Sequence, residues 1–112
     1  MQIPTNKVIA VDFDGTLCKL AWPNIGEPNM DVIQFFRRLR ACGNKLILWT
    51  CREGKMLDAA VAWCKEHDLE FDAVNANLPE RIAQYNNDSR KVGADLYCDD
   101  SMYDSWKCFL TI

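Results

Sequence analysis

The sequence predicts an α/β protein built on an open parallel sheet, and three observations predict it. Short apolar runs alternate along the chain with stretches whose apolar residues recur at helical spacing. The run from Lys45 to Thr50 is apolar on both faces, as a strand covered by helices is. Acidic, amide or hydroxyl residues stand at their carboxyl ends, where open parallel sheets place ligands. With 112 residues, 49% hydrophobic and 26% charged, the composition is that of one folded domain, expected to span residues 1–112, and not of a disordered chain.

Lys7-Val8-Ile9-Ala10-Val11-Asp12-Phe13 is expected to be a first, central strand, followed by a loop rich in Pro, Gly and Asn from Cys18 to Asn29. Val32, Phe35, Phe36 and Leu39 then recur at i, i+3, i+4 and i+7, predicting a helix over 29–41 that Gly43 stops. Lys45 to Thr50 is the second strand, and Lys55 to His67 a second helix burying Leu57, Ala60, Val61 and Cys64. Phe71 to Asn75 is a short third strand, and Pro79 to Tyr85 a short helix with proline in its first turn. Ala94 to Cys98 is a fourth strand, and Lys107 to Ile112 supplies a fifth, at an edge. A sheet of about five strands with helices on both faces results.

Net charge is −3, from 13 Lys and Arg against 16 Asp and Glu, so no broad positive field draws the chain to nucleic acid or to an acidic membrane surface. No apolar run approaches the roughly 20 residues that span a bilayer, and the first residues lack the form of a secretory signal, so a cytoplasmic location without membrane partners is expected. The six cysteines, at 18, 42, 51, 64, 98 and 108, form no C-x-x-C pair. Reduced thiols are expected, with Cys42, Cys64, Cys98 and Cys108 buried as small hydrophobes.

Asp12 and Asp14 follow the first strand, Thr50 the second, Asn75 the third, and Asp99 and Asp100 the fourth, so one crevice can hold them all. Carboxylates converging without bases to neutralise them repel, and a hard divalent cation such as Mg²⁺ with oxygen ligands relieves that repulsion. Two carboxyls two residues apart lie on one face of an extended chain, where one can attack and the other can shuttle a proton.

Val11-Asp12-Phe13-Asp14-Gly15-Thr16-Leu17 resembles the first motif of the haloacid dehalogenase-like (HAD) phosphohydrolase superfamily. Leu48-Trp49-Thr50 resembles its second motif, Lys91 its basic third, and Asp99-Asp100 its acidic fourth, in the same order over residues 8–100. The resemblance implies a Rossmann-like domain and a Mg²⁺-dependent phosphatase acting on a phosphate monoester. Asp12 would attack phosphorus to form an aspartyl-phosphate, and Asp14 would protonate the leaving group and then activate water. Backbone N–H groups beside Phe13 and Asp14, the Thr50 hydroxyl and Lys91 would bind the phosphoryl oxygens. The metal would be held by Asp12, the Asp14 carbonyl, Asp99 and Asp100, the last of these alternatively pairing with Lys91.

Other roles compete for several of these residues. Thr50 also fits a turn or helix cap, Arg90 adjoins Lys91, and Asp95 and Asp104 read as structural. Cys51 lacks a His partner as a nucleophile but belongs, with Thr50 and Arg52, to the segment expected at the substrate. Arg52 is expected at the mouth of the site, either solvated or touching a substrate anion. Asn75 and Asn77 suit a leaving-group contact and turn chemistry equally, while His67 suits a helix end. Trp49, Trp63 and Trp106 read as core or rim aromatics, and Trp22 as the aromatic lining a pocket.

Ten residues separate Leu17 from Pro28 and forty separate Thr50 from Lys91, too few for a cap domain at either point. The chain therefore resembles capless members, whose open sites suit large substrates such as phosphoproteins or polynucleotide ends, or are closed by a second subunit, and its expected partner is a phosphorylated small molecule or a polynucleotide or protein end. Two alternatives stand beside the phosphatase. One is a non-catalytic phosphate- and metal-binding module, which the intact Asp14 disfavours. The other is a receiver-like phosphoacceptor domain, in which the acidic pair leads and the lysine comes last, the reverse of the order here.

Overall fold

A computed structural model describes residues 3–76, 78–80, 82 and 94–98. β1 (Val8–Val11) pairs in parallel with β4 (Lys45–Leu48) on one side and β6 (Leu96–Cys98) on the other, and β4 pairs in parallel with β5 (Ala73–Val74). The sheet order β5-β4-β1-β6 puts β1 in the interior. From β1 the chain steps outward to β4 and β5, whereas β6 lies across β1, so the strand order reverses between β1 and β6. Open α/β sheets bind ligands at such a reversal.

Strand alternation divides the apolar residues between the two faces of the sheet. Ile9, Val11, Leu46 and Leu48 join Val32, Ile33, Phe35, Phe36 and Leu39 of α1 (Met30–Ala41) and Ala60 and Cys64 of α2 (Gly54–Glu66) in the main core. Val8, Ala10 and Ile47 face the other way and pack with Leu78, Ala73, Ala94 and Tyr97. Both long helices thus cover one face, and among the described residues the opposite face carries smaller pieces of chain. Each fully buried Leu, Ile or Phe contributes about 1.5–3 kcal/mol relative to exposure, so the larger cluster dominates stability.

Two expectations are corrected. The segment after Cys18 is an antiparallel hairpin, β2 (Cys18–Ala21) paired with β3 (Asn24–Pro28) around Trp22-Pro23. Cys42 is exposed because α1 ends at Ala41, which carries the next thiol past the apolar stripe. Gly43, at φ +93, completes that stop in a conformation L side chains avoid. The short helix begins at Pro79, with the Ile82 N–H donating to the Leu78 carbonyl, and the expected fifth strand and Cys108 lie outside the described residues. Among the described residues no helix is long and apolar enough to cross a membrane.

Candidate functional site

Beyond Val11 the main chain turns at once. Thr16 and Leu17 donate their N–H groups to the Phe13 carbonyl at 3.2 and 3.0 Å, and Gly15, at φ +82, donates to Cys18 at 2.9 Å. This conformation suits glycine because no Cβ opposes it. Phe13 is fully buried, with its ring edge-on to Trp63 at 5.4 Å and 84°, and it anchors the turn from below. The flanking acids are left only partly covered. The Asp12 Oδ1 accepts the Phe13 N–H at 2.8 Å, so this amide, expected on a phosphoryl oxygen, is turned to its own neighbour.

β4 leaves the ladder after Leu48. The Trp49 N–H still reaches the Val11 carbonyl at 2.9 Å, but the Thr50 N–H donates to Asn75 Oδ1 at 2.7 Å. The Thr50 hydroxyl accepts the Arg52 N–H at 3.2 Å, which is turn chemistry, and among the described residues its own O–H has no acceptor. Asp12, Trp49, Thr50 and Cys51 line one cleft of about 500 Å³ together with Ala10, Tyr97 and Cys98. It lies where the strand order reverses, and of the residues expected to share one crevice it brings together Asp12 and Thr50, while Asp14 and Asn75 do not line it.

Asp14 and Arg52 form a second cluster beneath the hairpin. Arg52 Nε donates to Asp14 Oδ2 at 2.9 Å and Nη2 to Asp14 Oδ1 at 2.8 Å, a bidentate pair. The same guanidinium reaches the Pro23 carbonyl at 3.2 Å and the Asn24 carbonyl at 3.0 Å, using four of its five N–H bonds. Its carbon lies 5.2 Å from the Phe13 ring centre and 5.0 Å from that of Trp22. Arg52 is only 2% exposed, so the solvated arginine is corrected: carbonyls, a carboxylate and two rings replace its water. The hydrogen-bonded Asp14 carboxylate holds the guanidinium above its ordinary range.

This pair also revises the electrostatics. Asp14 was expected among unneutralised carboxylates, yet its charge is balanced by Arg52. Buried pairs of this kind are weak evidence for net stability, but breaking one by removing a single partner costs about 3–5 kcal/mol. Trp22, expected to line a pocket, is 53% exposed and covers the outer side of Arg52.

Lys91, Arg90, Asn77, Asp99, Asp100, Asp104 and Trp106 lie outside the described residues. Asp95 is structural, as expected, with its Oδ2 accepting the Val8 N–H at 2.7 Å. His67 caps α2, its Nδ1 lying 2.8 Å from the Trp63 carbonyl. Among the described residues no three His, Cys, Asp or Glu side chains gather as a metal site. The oxygen donors that Asp12 and the Asp14 carbonyl offer suit a hard cation such as Mg²⁺, and the rest of the expected set belongs to Asp99 and Asp100.

The fold and the cleft define an α/β protein with a parallel sheet, with Asp12 and Thr50 on a strand-end cleft where the strand order reverses. No protein-family model and no curated protein matches the chain. A solved structure of a conserved protein from Bacteroides thetaiotaomicron is 42% identical, covers 84% of this chain and 75% of its own, and superposes with a TM-score of 0.76. The chain belongs to the same family as that conserved protein. Kinship of this kind establishes the fold and leaves the chemistry to be argued from the site.

Proposed function

We propose that the protein is a Mg²⁺-dependent phosphomonoester hydrolase of the capless HAD-like type, with a Rossmann-like core. The observation that carries this reading is the opening of Asp12 and Thr50, from the ends of adjacent parallel strands, onto one cleft beside the reversal of strand order. Asp12 is the nucleophile: one carboxylate oxygen attacks phosphorus in line and the ester oxygen leaves, giving an aspartyl-phosphate. Asp14 gives a proton to the departing oxygen and later takes one from the water that cleaves the acyl phosphate.

The Thr50 O–H donates to an equatorial phosphoryl oxygen, with Lys91 as its cationic partner. Asp12, the Asp14 carbonyl, Asp99 and Asp100 are the residues that would hold Mg²⁺, which supplies positive charge against the negative charge gathered on the phosphoryl group. The substrate is a phosphorylated small molecule or a polynucleotide or protein end, and the spacings from Leu17 to Pro28 and from Thr50 to Lys91 leave no room for an inserted cap over it. Location in the cytoplasm, and closure of the site by a second subunit, belong to the same proposal.

The test is hydrolysis of 4-nitrophenyl phosphate with Mg²⁺ and with a chelator, by wild type and Asp12→Asn. Wild type should turn over only with the metal, and Asp12→Asn should lose on the order of 10³-fold or more, the scale of removing a nucleophile. Turnover that survives the substitution would overturn the mechanism. Well-folded protein without turnover on aryl, sugar, nucleotide and oligonucleotide phosphates would favour a phosphate-binding module.

A further inference from the structure

Arg52 joins three separate parts of the chain. It follows β4, its carboxylate partner follows β1, and its two carbonyl acceptors form the tip of the hairpin. We infer that Arg52 is the positioning residue for Asp14, and that it makes the β2–β3 hairpin part of the site by tying the hairpin tip to the Asp14 carboxyl. The catalytic half of this inference rests on the phosphatase reading. The mechanical half does not.

The geometry explains why arginine is needed. A planar fork meets both carboxylate oxygens in one plane and fixes the rotation of the Asp14 side chain, which a lysine ammonium cannot do. Each carboxylate oxygen keeps a second lone pair, so Asp14 can still carry a proton and pass it to a leaving oxygen while the fork holds its plane. As the P–O bond breaks, the bonding pair stays on the leaving oxygen and takes that proton, and Asp14 returns to the carboxylate. The rings of Phe13 and Trp22 confine the guanidinium. Besides Arg52, the hairpin is held to the main core by Cys18, the one fully buried residue of β2, and by half-buried Ile25 of β3. Displacement of the tip therefore moves Arg52 and rotates the carboxyl it holds.

The experiment compares wild type, Arg52→Lys, Asp14→Asn and the double variant. Each is assayed for kcat/KM, which reports formation of the aspartyl-phosphate and not its hydrolysis, on 4-nitrophenyl phosphate, whose leaving group needs no proton, and on glycerol phosphate, whose leaving group does. General acid catalysis contributes about 10²–10⁴-fold, so Arg52→Lys should lose at least about tenfold more on glycerol phosphate than on the aryl ester. Equal losses on both esters would overturn the positioning role and leave a merely structural one. Amide hydrogen exchange over residues 18–28 tests the tie without turnover: each single variant should speed exchange there, and the double variant should be no faster than the faster single. Unchanged exchange, or additive effects, would overturn the tie. Failure of wild type to cleave either ester would sink the phosphatase reading and the positioning role together, while the exchange result would still decide the tie.

Discussion

Asn75 substitutes for the strand pairing that β4 lacks beyond Leu48. Its Oδ1 accepts the Thr50 N–H at 2.7 Å, and its Nδ2 donates to the Arg52 carbonyl at 3.3 Å, so one side chain spans the Thr50-Cys51-Arg52 loop. It does so from φ +49, in the left-handed region where asparagine is better tolerated than most residues. Asn75→Ala should therefore cost about 2–3 kcal/mol, from a stranded amide and a strained backbone. Asn75→Gly, which relieves the backbone alone, should cost about 1 kcal/mol less. Urea denaturation of the two variants checks the order, and an alanine variant as stable as the glycine one would contradict it.

The cysteines should divide by burial. Burial pushes the Cys64 thiol up to about 12, with Cys18 adding to the effect, and Cys18 itself is raised chiefly by burial. At pH near 7.5 the Cys64 thiolate fraction is then on the order of 10⁻⁵ to 10⁻⁴, far below that of an ordinary thiol. Cys42 and Cys51 are exposed, and Cys51 lines the cleft. Brief treatment with iodoacetamide followed by peptide mapping should find Cys42 and Cys51 modified before Cys18 or Cys64. Turnover should fall with modification of Cys51 and be insensitive to Cys42→Ser. Native-state labelling of Cys64 as fast as Cys42 would refute the division.

Thr16 is 2% exposed, and among the described residues its Oγ1 has no hydrogen-bond partner. A buried hydroxyl without a partner carries a desolvation cost of about 1–3 kcal/mol. Thr16→Val keeps the branched shape and removes that cost, so it should be neutral or stabilising by up to about 1 kcal/mol. A loss of more than about 1 kcal/mol on chemical denaturation would show that the hydroxyl is paired in solution.

The sheet was legible because its signals are local. Ile9, Val11, Leu46 and Leu48 are apolar in short runs, and Val32 through Leu39 repeat at helical spacing, so the described strands of this sheet and the long helices fall within two residues of expectation, with Thr50 just past the end of β4 and Phe71 just before the start of β5. The hairpin was not legible because a ribbon with one fully buried residue on β2 has no apolar alternation to read. The burial of Arg52 is not legible in the sequence for a different reason. Arginine is rarely buried unless paired, and its partner Asp14 lies 38 residues earlier in the chain. No periodicity encodes such a contact. The placement of Asp12 and Thr50 on one cleft was legible, because strand ends in a parallel sheet converge whatever the loops do.

Asp72 gives the fold an acid-sensitive tie. Its Oδ2 accepts the Leu46 N–H at 2.8 Å and its Oδ1 meets Arg40 Nη2 at 3.2 Å, where β4 and β5 begin to pair. Burial alone would raise this carboxyl, but Arg40 and the Leu46 amide outweigh it and hold the group below its ordinary value of 3.8. A carboxyl lowered by folding contributes stability that is fully present above its unfolded value and is lost as pH falls through the folded one. Asp72→Asn should cost about 1 kcal/mol near neutral pH, a modest figure because Arg40 is 39% exposed. The gap between wild type and variant should stay constant from about pH 8 to pH 5 and narrow below about pH 4. Thermal melts across that range measure it, and a gap that widens in acid would reverse the sign assigned to Asp72.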